Sequence, residues 1–178
     1  MKKTLSLLAA FGLVVALLGA ASAQRRGGGA PPPITVEART ALLEALAGPV
    51  GEYNAYAGYN AIIAKFGPVQ PYSNIMAAEA NHIGALQSAL ARYGVAYPAN
   101  PYLGKITAPE TLLEAAQAGV DEEVANAAMY DRLILAVRAY PDLVRVMTNL
   151  KTASLEKHLP ALQAALENGG ECTGTCIR

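Results

Sequence analysis

Apolar positions recur three and four residues apart through most of the chain. One stripe runs Glu52, Tyr56, Tyr59, Ile63, Phe66, and a second runs Ile75, Glu79, His82, Leu86, Ala89, Tyr93. A third runs Leu113, Ala116, Val120, Glu123, Ala127, Tyr130, Ile134, Val137, and a shorter fourth Leu155, His158, Leu162, Ala165. Such alternation is the seam of helices that bury one face against each other. Glycine and proline interrupt it at Gly48-Pro49, Gly67-Pro68 with Pro71, Pro98 to Gly104, and Pro141. The pattern predicts four helices, at 36–66, 71–94, 109–139 and 142–168. Proline suits a first helical turn, so the first helix is expected to bend or restart at Gly48-Pro49. Pro160 removes one backbone bond and should kink the last.

The two halves of the chain resemble one another. Asn81 to Leu90 matches Lys157 to Leu166 at six of ten positions, and Glu52 and Glu123 each precede a tyrosine, Tyr59 and Tyr130, by seven residues. This is the mark of a duplicated helical hairpin. Short turns within each half make its helices antiparallel neighbours. The link from Gly94 to Pro109 spans about 45–50 Å when extended, against roughly 35 Å for a 24-residue helix. It can therefore cross the whole bundle and let the second and third helices run parallel.

Composition alters the picture mainly at the ends. Lys2 and Lys3, the apolar run Leu5 to Leu18, and Ala21-Ser22-Ala23 read as a signal peptide over residues 1–23. A membrane anchor is the rival reading, but the run is short for a bilayer. Arg25-Arg26 follows that run, so it is no twin-arginine signal. The expected location is secreted or periplasmic, with no membrane association after cleavage. Residues 24–35 read as a flexible leader and 169–178 as a tail. Cys172 and Cys176 in that tail read as a local disulfide in an oxidising compartment, with metal binding by the two thiols as the alternative. Without Lys2 and Lys3 the chain has 12 basic and 14 acidic side chains, so no basic stripe offers itself to nucleic acid. A homodimer is compatible with all of this.

Glu52, Glu79, His82 and Glu123 occupy seam positions where leucine or alanine belongs. A buried carboxylate costs several kcal/mol unless it is compensated, and no lysine or arginine lies on the first three stripes. A divalent metal ion would compensate, since carboxylate oxygen and imidazole nitrogen are usual ligands. Glu79 and His82 stand one helical turn apart on the same face. His158 supplies the fourth helix, which uses both histidines of the chain. Glu123 lies on the seam and Glu122 does not; Glu44 competes with Glu52. Tyr59 and Tyr130 are read as packing residues in preference to hydrogen-bond partners of the ligands or radical carriers, and Glu156 as a solvated acid. Without an ion, three seam acids should be strained and titrate high.

Tyr72-Ser73-Asn74-Ile75 before Glu79-x-x-His82, with Ser154-x-x-x-His158-Leu159 near the end and Glu52, Ala55 and Tyr59 in the first helix, resembles a bacterial ferritin-like family defined as a domain of unknown function. The resemblance covers roughly Leu42 to Leu166. It implies an all-α, ferritin-like four-helix bundle and a metal site, and no established reaction. Ferritin-like sites take one glutamate from each of two helices and Glu-x-x-His from each of the other two. Glu52, Glu79, His82, Glu123 and His158 fit that set in chain order. Leu155 departs from it, standing three before His158 where glutamate is expected, while Glu156 lies about 100° round the helix. Either the kink near Pro160 displaces the helix, or the second half of the site lacks its carboxylate. The expected cofactor is a divalent transition metal, iron first, with manganese and zinc accepting the same ligands. Redox chemistry on oxygen or peroxide, metal sequestration or delivery, and a structural bundle with a vestigial site are the functions that follow.

Overall fold

The computed structural model describes residues 32–172. Helices α1 (Val36–Ala47) and α2 (Glu52–Phe66) form the first bundle helix, and α3 (Tyr72–Arg92) and α4 (Leu112–Ala136) the second and third. The fourth is α5 (Pro141–Ala153), a π-turn (Ser154–His158) and α6 (Leu159–Glu167). No strand occurs among the described residues, and no helix among them is long and apolar enough to cross a membrane. The signal-peptide reading and most of the leader lie outside the described residues. So does Cys176; Cys172 is disulfide-bonded.

The first helix breaks where glycine and proline predict. Gly48 N–H closes on Glu44 O at 2.8 Å, and α2 restarts after Gly51. A Cβ on Gly48 would lie 2.5 Å from Glu44 O, and one on Gly51 2.6 Å from Ala45 O, so only glycine fits this tight passage. The break is held from two sides. Asn126 of α4 donates to Val50 O at 3.0 Å, while Tyr102 in the crossover donates to Ala47 O at 3.0 Å. These bonds fix the turn from which Glu52 projects as the first residue of α2.

Two apolar layers give the helix directions. One gathers Leu42 and Leu46 of α1, Leu86 and Leu90 of α3, Leu133 of α4, and Leu143 and Met147 of α5. The other gathers Tyr59 and Ile62 of α2, Tyr72 and Ile75 of α3, Ala115 of α4 and Leu162 of α6. The first and fourth helices run from the first layer to the second, and α3 and α4 run the opposite way. Each hairpin is therefore antiparallel, and the link between α3 and α4 crosses the bundle. A fully buried leucine in these layers contributes about 1.5–3 kcal/mol. The polar seam residues lie between the layers.

Several seam positions are corrected. Leu113 is 47% exposed and Leu155 is 39% exposed, while Tyr56, Ile63, Val120 and Ile134 are only half-buried and the neighbouring Ala55, Ile62, Gly119 and Leu133 lie inside. The fourth helix accounts for Leu155. Leu159 N–H bonds to Ser154 O, five residues back, because one extra residue is accommodated in the turn. Pro160 has no N–H for Glu156 O, the bond a regular helix would make there. The π-turn thus carries Leu155 outward and Ser154 inward, where its hydroxyl donates to Asn126 Oδ1 at 3.0 Å.

Candidate metal centre

Each of the four bundle helices sends at least one ionisable side chain into the layer between the two apolar clusters. Glu52 comes from the first turn of α2, Glu79 and His82 from the middle of α3, Glu123 from the middle of α4, and His158 from the end of the π-turn. Glu52, Glu79 and Glu123 are only 1–2% exposed. His158 is buried with them, and His82 keeps a side-chain exposure of 12%. All five residues singled out from the sequence converge.

Glu79 is the centre of the arrangement. Its Oε2 lies 2.9 Å from His82 Nδ1, and its Oε1 lies 3.0 Å from His158 Nδ1. His82 Nδ1 is also 3.2 Å from Glu52 Oε2, and His158 Nδ1 is 3.3 Å from Glu123 Oε1. Two triads result, Glu52–Glu79–His82 and Glu79–Glu123–His158, each with its ligand atoms within 4.8 Å of one another. The imidazole rings stack with centroids 5.4 Å apart.

His158 Nδ1 is close to two oxygens yet makes no hydrogen bond of acceptable direction, so it is a buried polar atom without a partner. Both distances are those of ion pairs when the imidazole is protonated. Direction rules out only the hydrogen bond, which weakens steeply when bent. Such a nitrogen is placed as a ligand would be, among oxygens that can share one cation.

The two tyrosines read as packing residues bond to the acids instead. Tyr59 donates to Glu123 Oε1 at 2.9 Å, and Tyr130 donates to Glu52 Oε1. The common seven-residue spacing marked the repeat, but each tyrosine bonds the acid of the other helix. Asn126 was not singled out from the sequence, and Ser154 entered only through the family motif; they brace the α1–α2 break and the π-turn around the site.

Among the described residues, no lysine or arginine forms an ion pair with these carboxylates; the pairs it does form lie outside the cluster. Protons supply the balance. Burial, then the charge of Glu79, pushes Glu52 up to about 8. Burial alone would depress His82, but hydrogen bonds to Glu52 and Glu79 prevail and raise it to about 10. Burial likewise opposes the charge of His158, and contacts with Glu123 and Glu79 raise it to about 9. Burial would raise Glu79, yet Glu52 and the two histidines hold it well below the usual carboxylate range. The expectation of high titration thus holds for Glu52 and is corrected for Glu79, because contacts with Glu52 and the two histidines favour its charged form.

Glu122 stands at the edge of the site. Its Oε1 is sealed from solvent without a hydrogen-bond partner, and burial with the charges of Glu123 and Glu79 raises it to about 7. Sequence phase rightly set it off the seam, although its neighbours bring it close to the cluster. No family model, curated protein or solved structure matches this chain.

Proposed function

We propose that the chain is a ferritin-like protein that holds one or two divalent transition-metal ions between its helices, iron being the first candidate. The observation that carries this reading is Glu79, whose two oxygens face two histidine nitrogens, one of them buried without a hydrogen-bond partner. The donor set fits such ions, since carboxylate and imidazole suit iron, manganese and zinc alike. It also fits by charge: three carboxylates against one divalent ion leave a small negative balance, and against two a small positive one. The antiparallel hairpins and long crossover support the ferritin-like part of the reading.

Iron held here would supply one-electron chemistry toward oxygen or peroxide. The chain's own residues do the holding. Glu79 joins the two triads, while Tyr130 and Tyr59 fix the orientation of Glu52 and Glu123. The apolar layers on both sides keep water from competing for the ligand atoms. Deep burial of Glu79, Glu123 and His158 also favours a second reading, in which the ion is sequestered without turnover. Export, read from residues 1–23, belongs to the same proposal.

Titration of the metal-free protein with Co2+, followed by visible absorption, tests the reading. Saturation at one or two ions per chain is the expected result. No binding by the folded chain would overturn it.

A further inference from the structure

A cavity of about 180 Å3 opens between α2 and α4 beside the cluster. That is room for on the order of six water molecules at about 30 Å3 each. Asn54 and Gly58 of α2, Gly119 and Glu122 of α4, and Thr107 of the crossover line it. Its wall includes Tyr59, whose hydroxyl bonds to Glu123 of the cluster. The cavity and the cluster are thus separated by one side-chain layer.

Two observations give this space a direction. Glu122 lines it; its Oε1 is sealed from solvent without a hydrogen-bond partner, which leaves the other carboxylate oxygen as the one that water or an ion in the cavity can reach. Gly58 lies inside α2, where glycine costs about 1 kcal/mol relative to alanine. A Cβ there would meet nothing within 4 Å, so no packing demand accounts for glycine. Gly119 differs: its Cβ would lie 2.7 Å from Leu162 Cδ2, so that glycine serves the contact with α6. What Gly58 leaves open is the cavity itself.

Resting on the metal-binding reading above, we infer that this cavity is the port through which a hydrated divalent cation reaches the cluster, with Glu122 binding the ion in transit. A carboxylate at the throat attracts the cation, and the small residues around it leave room for bound water. Asn54 and Thr107 offer oxygens that can accept hydrogen bonds from that water. The ion then passes Tyr59 to reach Glu123, the nearest ligand behind it.

A transit group alters rates without altering the final state. Stopped-flow mixing of the metal-free full chain with Co2+ gives the uptake rate, and loss to a chelator gives the release rate. Glu122→Gln, which keeps the shape of the side chain, should slow uptake about tenfold or more, in line with the effect of a lost steering charge. Release should slow by the same factor, leaving affinity and stoichiometry unchanged. Gly58→Leu, which fills the cavity, should slow both steps similarly. Uptake by Glu122→Gln at the wild-type rate would overturn the port, as would a loss of affinity with an unchanged uptake rate, which would make Glu122 a resident ligand. If the wild-type chain takes up no Co2+, the metal-binding reading fails and the port falls with it; if the wild type binds normally, only the port is at stake.

Discussion

The hydroxyl of Tyr130 on α4 donates to Glu52 on α2, across the boundary between the two halves of the chain. Tyr59 on α2 returns the contact by donating to Glu123 on α4. Each repeat thus supplies the tyrosine that steadies the other repeat's acid. Glu52, Tyr59 and His82 correspond to Glu123, Tyr130 and His158, and Glu79 faces both histidines without a counterpart.

On the metal-binding reading, this sharing makes Glu79 the least replaceable ligand. Glu79→Ala should remove both triads and abolish Co2+ binding, weakening it at least about a hundredfold, as loss of supporting groups alone costs 10–100-fold. His82→Ala and His158→Ala each break one triad, so each should retain at most one ion per chain. Elemental analysis of the three folded variants checks the order. Equal retention in all three would remove Glu79 from the centre.

The tyrosine pair should behave symmetrically. Tyr59→Phe and Tyr130→Phe each delete one hydrogen bond to a buried carboxylate, worth roughly 1.5–3 kcal/mol when the acceptor is charged. Metal affinity should fall about 10–100-fold in each. Calorimetric titration measures this, and unchanged affinity in both variants would return the tyrosines to a packing role.

Stability of the ion-free protein should vary with pH in a defined sense. The histidines bind protons more tightly when folded, so their stabilisation is complete below about pH 6.5 and is lost as pH rises through 9 to 10. Glu52 also holds its proton more tightly when folded, so stability falls as pH climbs from its ordinary value toward about 8. Glu79 has the opposite sign: its contribution is present above its ordinary value and is lost in stronger acid. The ion-free bundle should be most stable near pH 5 and weaken steadily toward pH 10. Metal-loaded protein should show the reverse slope between pH 7 and 5, because binding displaces the same protons. Thermal melts with and without chelator measure both slopes; parallel slopes would contradict the account.

Leu155 supplies a control. The sequence suggests that glutamate there would complete a symmetric site, but the π-turn points Leu155 to solvent. Leu155→Glu should therefore leave metal stoichiometry unchanged and shift stability by no more than about 0.5 kcal/mol, as surface substitutions do. A second ion gained by this variant would mean that the turn can revert to regular helix.

The centre was legible in the sequence because burial of an unpaired acid is costly. Glutamates in an apolar seam therefore announce a partner, and the heptad phase alone separated Glu123 from Glu122. The break before Glu52 was legible from Gly48-Pro49, since both residues act locally. Ser154 was not, because a period of 3.6 residues cannot register an inserted residue; Pro160, two after His158, marked a disturbance without its form. The reciprocal tyrosine bonds were hidden for another reason. Their spacing is written along the chain, but their partners are chosen by how the hairpins face each other.

The central claim is that an ion sits on Glu79 between the two histidines. A crystal of protein loaded with Co2+, measured for anomalous scattering, tests it most directly. The account predicts a peak at about 2.0–2.2 Å from a Glu79 oxygen and from Nδ1 of His82, of His158, or one peak beside each. A map with no anomalous peak at Glu79, and with both Nδ1 atoms hydrogen-bonded to carboxylates, would contradict it.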